Sequence, residues 1–174
     1  MQPFSFYVSS LATRIVASLF CAVLIAGFVP APAHAAMWRV DANFASYHAR
    51  AWARRSLNQV NPGLGMTWQV NRTWGVSGGI YRNSYRRPSA YALVTWTPLQ
   101  VGWQDGWHVD GGIAAGLLSG YKHAEVPCEP IGGGALVRFV APDDVALNLV
   151  AVPNTTSGSG FIGFRLSIPI SARR

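Results

Sequence analysis

Apolar residues alternate with polar or small residues in eight separate segments after residue 36, and this pattern limits the possible folds most strongly. In the clearest segment, residues 63–70, Leu64, Met66 and Trp68 share one face. A two-residue period is typical of a β-strand, because successive side chains point to opposite faces. The segments cover residues 37–47, 63–70, 74–81, 90–96, 107–117, 131–139, 145–152 and 162–168. No useful helical period interrupts them, so the sequence predicts an all-β fold.

The connections between the segments predict how the strands are arranged. Asn71-Arg72 and Pro142-Asp143 are short turns, whereas residues 49–61, 83–89, 119–130 and 153–160 form longer connections. Short turns at one end and long loops at the other are expected of an outer-membrane barrel. Eight strands of about ten residues form the smallest barrel of this kind. We therefore predict an eight-stranded antiparallel up-and-down outer-membrane β-barrel.

The tryptophans and the low charge favour lipid around this barrel. Only 12% of the residues are charged. Several tryptophans fall near predicted strand ends, where an interfacial aromatic girdle would place them: Trp68, Trp74, Trp96, Trp103 and Trp107. A soluble lipocalin-like barrel is the alternative, since it shows the same period and turns. That alternative requires several apolar faces to be covered from water, so the sequence favours the membrane barrel.

The first 35 residues have the features of a secretory signal peptide. Arg14 precedes an apolar run over residues 15–29, and Ala33-His34-Ala35 follows as an A-x-A cleavage pattern. A transmembrane anchor is the alternative, but a spanning helix needs about 20 apolar residues, more than this run supplies. We expect export across the inner membrane and a single barrel domain, residues 36–174, in the outer membrane of a Gram-negative bacterium.

The chain after residue 35 is basic, and its cations are almost all arginines. Thirteen basic residues stand against seven acidic ones, and Lys122 is the one lysine. A cationic protein outside the cytoplasm meets anionic lipid or polysaccharide more often than nucleic acid, and the guanidinium fork suits phosphate. We therefore expect an anionic lipid or polysaccharide as the partner, and no nucleic acid. A scatter of solvated loop charges is the alternative interpretation.

Cysteine and histidine usage predicts neither a metal nor another cofactor. Cys128 is the only cysteine after residue 35, so no internal disulfide is available. The histidines, His48, His108 and His123, do not cluster with acidic residues or with Cys128 at metal-ligand spacing. We expect a monomer that is stabilised by closed backbone pairing.

Two polar segments at strand ends are candidates for chemistry. His48 ends the first predicted strand, beside a loop that carries several arginines, and Asn83-Ser84 follows the third. Both strand ends point to the long-loop side of the barrel. A histidine and a serine there could form a base–nucleophile pair, with an amide or an acid as the third member. The alternative is a polar histidine at the interface and an ordinary Asn-Ser turn.

Prolines near two strand ends mark possible openings in the wall. Pro127 precedes the sixth strand, and Pro153 follows the seventh. Proline donates no ladder hydrogen bond, so each opens a gap in the pairing. In a wall that faces lipid such a gap is costly unless protein or water covers it, and it could instead serve as a lateral gate for an acyl chain. Loop starts explain the same prolines without any function.

The chain resembles the lipid A palmitoyltransferase (PagP) family from about residue 44 to residue 168. The similarity lies in the order and spacing of short motifs rather than in any single one. These motifs are Tyr47-His48-Ala49-Arg50, Gly63-Leu64-Gly65, Tyr81-Arg82-Asn83-Ser84, Trp96-Thr97-Pro98-Leu99, residues 112–116, Pro127 and residues 152–155. The resemblance implies an eight-stranded outer-membrane enzyme that transfers a palmitoyl chain from a phospholipid to lipid A.

The resemblance also implies roles for individual residues. His48 would be the base and Ser84 the family serine and nucleophile, and Pro127 and Pro153 would flank lateral lipid gates. Asn83 stands where the family has an acid; an amide can orient an imidazole but cannot stabilise an imidazolium by charge. Lipid A phosphates would be bound by residues of the arginine-rich loops: Arg50, Tyr81, Arg82, Arg86 and Arg87.

The sequence leaves two main functions open. One is an acyltransferase acting on lipid A or another outer-leaflet lipid, with His48, Asn83 and Ser84 at the site. The other is a non-catalytic barrel that binds lipid or has a structural role, which the amide at Asn83 favours. A lipid A deacylase is a third possibility, but its local His-x-Ser arrangement does not occur in the sequence.

Overall fold

The computed structural model describes residues 36–122, 124–125, 130–155 and 158–170. The predicted signal peptide, together with His123, Pro127 and Cys128, lies outside the described residues. The described chain contains eight strands and a short helix, α1 (Ala51–Ser56), between the first two strands. The strands are β1 (Met37–His48), β2 (Val60–Gln69), β3 (Trp74–Arg82), β4 (Pro88–Gly102), β5 (His108–Leu118), β6 (Ile131–Val140), β7 (Ala146–Val152) and β8 (Phe161–Pro169).

The sheet closes on itself. Each strand pairs antiparallel with the next strand in the chain, and β1 also pairs with β8, as in Val40 opposite Ile168. The predicted all-β, eight-stranded antiparallel barrel is therefore confirmed. Closure removes the sheet edges, so every strand has a neighbour on both sides.

No helix within the described ranges is both long and apolar enough to cross a membrane.

The connections differ in length at the two ends of the barrel. Residues 70–73, 103–107 and 141–145 make the short connections of the end called here the turn side. At the first of them, the Asn71 side-chain oxygen accepts hydrogen bonds from the main-chain N–H groups of Thr73 and Trp74, both at 2.8 Å. Gly106 adopts a φ of 89° in the second, a conformation that glycine reaches without strain. The longer connections lie at the opposite end, the loop side.

The outer face of the barrel is apolar and the interior is largely polar. Leu64 and Ile80 are cross-strand partners on the outer face, and they are 65% and 68% exposed. On the interior face, Thr67, Ser77 and Thr95 are buried. This distribution is the reverse of a water-soluble barrel and is compatible with an outer-membrane barrel, in which apolar residues alternate outwards and polar residues inwards.

Tryptophans collect near the turn side, as the sequence predicted for strand ends. Trp38 stacks on Trp68, and Trp74 stacks on Trp96, each pair with ring centroids 6.1 Å apart. Trp107 lies in the β4–β5 turn and is exposed. Such a ring of large aromatic side chains is typical of the boundary between an apolar layer and water.

Strand β4 is longer than the sequence suggested. We expected it to end at Pro98, but it continues to Gly102. The register between β4 and β5 shifts between Trp96 and Leu99, so Pro98 falls within an irregularity of the ladder. A proline is tolerated at such a position because no donor is required there.

The turn-side half of the interior contains buried, hydrogen-bonded charges. The Asp41 carboxylate accepts hydrogen bonds from Thr67 Oγ1 (2.6 Å) and Ser167 Oγ (2.5 Å). Arg165 Nη1 lies 3.6 Å from the same carboxylate and donates to Ser77 Oγ at 3.2 Å. Because each charge has a partner, burying it is compatible with a stable fold.

A second cluster of buried polar side chains lies in the same half of the interior. Arg138 Nη1 donates to Gln69 Oε1 at 2.9 Å and lies 3.6 Å from the Asp110 carboxylate. Its Nε donates to Asn148 Oδ1 at 3.2 Å. All four side chains are buried. The turn-side half of the barrel is therefore packed with polar side chains.

Candidate functional site

The loop side brings together polar side chains from β1, β2 and the loop after β3. His48 is the last residue of β1, and Ser84 is the second residue after β3. Odd-numbered strands of an up-and-down barrel end on the same side, so these two predicted residues lie at the same end. Asn61 at the start of β2 joins them there.

Ser84 contacts Ser46 on β1. The two Oγ atoms are 3.4 Å apart. Ser46 donates to Asn61 Oδ1 at 2.6 Å, and Asn61 Nδ2 donates to the Arg82 carbonyl oxygen at 3.0 Å, which fixes the orientation of the Asn61 amide. Since the Ser46 proton points to Asn61, Ser84 is the donor in its contact with Ser46.

His48 is buried and has an amide partner. Its Nδ1 lies 3.0 Å from Gln59 Oε1, and its main-chain N–H donates to the same oxygen at 3.3 Å. One side of the imidazole packs on the Phe161 ring, with centroids 5.6 Å apart. The partner of the imidazole is therefore Gln59 and not the predicted Asn83.

Among the described residues, no hydrogen bond joins His48 to Ser84. Ser46 and His48 both face the interior from β1, two residues apart on the same face. Ser84 Oγ touches the first of these residues and not the imidazole. Catalytic hydrogen bonds are often loose before substrate binds, so a base–nucleophile pair of these two residues would have to form with substrate present.

Asn83 holds the loop after β3 in place. Its side chain is fully buried, and Nδ2 donates to Ser89 Oγ (2.9 Å) and to the Gly120 carbonyl oxygen (2.8 Å). Its Oδ1 accepts hydrogen bonds from the main-chain N–H groups of Tyr85 (2.9 Å) and Arg87 (3.0 Å). These contacts use the amide within the loop, so the structure does not bring Asn83 to His48.

Arg50 and Arg87, two of the predicted phosphate-binding residues, are engaged with protein groups. Arg50 Nη2 donates to the Thr155 carbonyl oxygen at 2.9 Å. Arg87 forms an ion pair with Glu125 and donates from Nε to the Gly120 carbonyl oxygen at 2.9 Å. Both arginines therefore connect neighbouring loops.

Arg82 and Arg86 lie beside a groove on the outer wall. The groove has a volume of about 980 Å³, and exposed Leu64 and Ile80 line it with the two arginines. Arg82 Nε donates to the Arg86 carbonyl oxygen at 3.3 Å. Within the described part of the chain, no carboxylate pairs with either guanidinium.

Tyr81 belongs to a pair of phenols inside the loop-side mouth. Its hydroxyl lies 2.7 Å from the Tyr121 hydroxyl, and its ring meets Tyr91 edge-on at 5.9 Å. Burial raises the pKa of the Tyr121 phenol above its ordinary value, and the neighbouring Tyr81 raises it further. Tyr91 in turn fills space that Gly65 and Gly79 leave open, since a Cβ at Gly65 would lie 2.3 Å from the Tyr91 oxygen.

An apolar cavity of about 140 Å³ lies in the loop-side half of the barrel. The polar residues of its lining include Asn61, Ser84 and Arg165. Its apolar lining includes Ala45, Leu93, Ala114, Leu118, Val150, Val152, Phe161 and Phe164. The candidate nucleophile is thus exposed to an apolar space in the barrel interior.

The seam between β6 and β7 is incomplete on the loop side. The last pair there is Ala135 with Ala151, so residues 131–134 of β6 have no partner on β7 within the described residues. Pro153 follows the end of β7 beside this seam, whereas the predicted gate residue Pro127 lies outside the described residues. Gly132 and Val152, on either side of the seam, also line the cavity.

Sequence reasoning did not identify Ser46, Gln59 and Asn61 as parts of this cluster. Ser46 lies two residues from His48 on an alternating strand, so the two-residue period was a usable signal for it. Gln59 and Asn61 come from the 49–61 connection, which has no period. Their contacts follow from the pairing of β1 with β2 near Ala45 and Val60.

The fold and this cluster define the class of protein as a closed eight-stranded barrel with a polar interior and a serine–histidine–amide cluster at one mouth. No protein-family model matches the chain, and no curated protein matches it significantly. Among the described residues, no group of three or more histidine, cysteine or acidic side chains is placed to hold a metal ion.

Proposed function

We propose that the protein is an outer-membrane β-barrel acyltransferase that moves an acyl chain from a phospholipid to lipid A or another outer-leaflet lipid. The observation that carries the proposal is the position of Ser84. Its hydroxyl lines an apolar cavity and lies 3.4 Å from Ser46, the same-face neighbour of His48. A serine at an apolar cavity, with a histidine at the same mouth, supplies a nucleophile, a base and a space for part of an acyl chain.

Placement in a membrane is supported by the outer wall. Large apolar side chains cover it, including Leu64 and Ile80, and stacked tryptophans mark its turn-side rim. In an outer membrane the short turns face the periplasm and the long loops face outwards. The mouth that holds Ser84 and His48 would then lie at the outer leaflet, where lipid A is found.

The chemistry assigns one step to each side chain. Ser84 Oγ attacks the ester carbonyl of the donor, and its proton passes to His48 once bound substrate has brought the two side chains into contact. The ester C–O bond then breaks, and the leaving glycerol oxygen receives the proton from His48. An acceptor hydroxyl next attacks the acyl-Ser84 ester and gives its proton to His48. His48 returns that proton to Ser84 Oγ as the ester bond breaks.

The cavity limits how much of an acyl chain the interior can hold. A cavity of about 150 Å³ lined by apolar side chains accommodates a molecule the size of benzene. This cavity, at about 140 Å³, accommodates a segment of acyl chain of similar volume to benzene. The remainder of a long chain would have to pass through the incomplete seam between β6 and β7, beside Pro153.

The lipid head group would lie over Arg82 and Arg86. Both arginines line the apolar groove together with Leu64 and Ile80, which suits a phosphate joined to acyl chains. Tyr81 also lines this groove. Arg50 and Arg87 would contribute by holding the neighbouring loops, since both already bind protein groups.

Mass spectrometry of lipid A tests the proposal. Lipid A from cells that express the protein should gain an acyl chain, and His48→Ala and Ser84→Ala should each abolish the gain. His108→Ala and Thr73→Ala are matched controls, since both residues lie at the turn side, away from the cavity and the groove. An unchanged lipid A and phospholipid profile in several hosts would reject acyl transfer.

A non-catalytic lipid-binding barrel is the second candidate. The observation that favours it is the commitment of Asn83 to its own loop, together with the bond from His48 to Gln59 in place of a serine. In that case His48→Ala and Ser84→Ala would leave every lipid species unchanged. Co-purified lipid would still be found, and its amount would fall when the cavity is filled by Ala114→Phe.

A further inference from the structure

We infer that Gln59 is a positioning residue that holds His48 in the tautomer with its proton on Nδ1, which leaves Nε2 as the proton acceptor. The tautomer itself follows from the hydrogen bonds and does not depend on any activity. Only its catalytic consequence rests on the proposed function.

Two neighbours of unambiguous character fix the orientation of the Gln59 amide. Gln59 Nε2 lies 3.0 Å from the Leu57 carbonyl oxygen, which can only accept a hydrogen bond. Gln59 Oε1 lies 3.3 Å from the main-chain N–H of His48, which can only donate. The flipped amide would place two acceptors together at Leu57 and two donors together at His48, so it is disfavoured at both ends.

The orientation of the amide determines the protonation of the imidazole. Gln59 Oε1 lies 3.0 Å from His48 Nδ1 and has no hydrogen to donate, so Nδ1 must carry the proton. A neutral imidazole with a proton on Nδ1 has its lone pair on Nε2. This is the form that a general base needs if Nε2 faces the nucleophile.

The helix α1 supports this arrangement through the segment that follows it. The main-chain N–H of Leu57 donates to the Ala53 carbonyl oxygen at 2.8 Å, so the end of α1 sets the position of Leu57. The Gln59 carbonyl oxygen accepts from the Ser46 N–H, and Asn58 N–H donates to the Ser84 carbonyl oxygen, both at 2.8 Å. The segment 57–59 therefore connects the helix to both the histidine and the serine.

A cation, and not an acid, binds the main chain of His48. Arg54 Nη1 donates to the His48 carbonyl oxygen at 2.9 Å. No carboxylate pairs with His48 in the described part of the chain. The orienting partner is consequently an uncharged amide, as in Cys-His-Asn sites.

Nitrogen NMR of the purified protein in detergent micelles tests the inference. Spectra of ¹⁵N-histidine-labelled protein at about pH 8.5, where an ordinary histidine is neutral, distinguish a protonated ring nitrogen from an unprotonated one. We expect Nδ1 to be protonated in the wild type. Gln59→Leu should shift the population towards protonated Nε2, whereas Gln59→Glu, which keeps the acceptor, should preserve the wild-type form.

Gln100→Leu is the matched control, because Gln100 also bonds a backbone carbonyl but lies at the turn side. It should leave the His48 spectrum unchanged. A wild-type spectrum with protonated Nε2 would overturn the inference without any variant. An unchanged tautomer in folded Gln59→Leu would overturn it as well, and if that variant does not fold, loss of the wild-type form in Gln59→Glu would do so.

An activity measurement separates this inference from the proposed function. If the wild type transfers acyl chains, Gln59→Leu should lower kcat by roughly 10- to 100-fold, with little change in KM, and Gln59→Glu should restore most of the rate. Absence of transfer in the wild type would reject the proposed function while the NMR result stands. Equal rates in the wild type and Gln59→Leu would reject the positioning role.

Discussion

Replacing Asn83 by alanine should loosen the loop after β3 and leave the barrel intact. The Asn83 side chain makes four hydrogen bonds, to Ser89, Gly120, Tyr85 and Arg87. At about 1 kcal/mol for each bond, the variant loses up to about 4 kcal/mol of local stability. Water that enters the vacated space restores part of the bonding and sets a lower limit of about 2 kcal/mol.

Amide hydrogen exchange measures this change where it occurs. The N–H groups of Tyr85 and Arg87 lose their acceptor, so they should exchange roughly 30- to 700-fold faster in Asn83→Ala. The Thr97 N–H, which donates to the Thr73 carbonyl oxygen at the turn side, should keep its wild-type rate. Wild-type protection of the two loop amides in the variant would refute the structural role given to Asn83.

Asn83→Asp distinguishes this role from a catalytic one. A carboxylate keeps the two bonds that Oδ1 accepts, but its second oxygen faces the Gly120 carbonyl oxygen, where the amide donates at 2.8 Å. A smaller acceleration of exchange than in Asn83→Ala is expected. Acyl transfer should not rise, because the carboxylate stays in the loop. A higher transfer rate in Asn83→Asp would show that residue 83 reaches His48.

Three further predictions concern the rest of the barrel. Asp41→Ala leaves Arg165 buried without its carboxylate and should lower the free energy of unfolding by about 3–5 kcal/mol in urea titrations of the micelle-bound protein. Met66→Arg places a charge on the apolar outer wall and should cost about 2–4 kcal/mol in bilayers, whereas the same change at exposed Gln100 should cost little. Because the pKa of Tyr121 is raised on folding, its contribution to stability is complete below about pH 10 and falls as the pH rises further. The tyrosinate absorbance that Tyr121→Phe removes should therefore develop at a higher pH than that of an ordinary tyrosine.

The two-residue period was sufficient to predict the barrel, since it depends on local chemistry alone. Residues 63–70 alternate because one side of β2 faces the interior and the other faces outwards. The extension of β4 past Pro98 was missed, because a register shift that accommodates a proline depends on the neighbouring strand. Helix α1 was also missed, since its six residues are too few to show a helical period.

The candidate site was predictable only in part. His48 and Ser84 lie at one mouth because strand direction determines where each strand ends. The actual partners depend on contacts that the sequence does not display. Asn83 binds Gly120, 37 positions away in the chain, and Gln59 meets His48 only after α1 has turned the chain back. The sequence predicted Asn83 as the amide near His48, whereas the structure places Gln59 there.

The polar packing around Asp41 and Arg138 has a consequence for the order of events in the proposed reaction. Because these buried side chains fill the turn-side half, the barrel interior is closed at the turn side and does not form a channel through the barrel. Donor and acceptor would have to use the same end, and the spent donor would leave before the acceptor takes its place. Such alternation implies ping-pong kinetics, in which the acyl-Ser84 ester persists after the donor has left and until the acceptor binds.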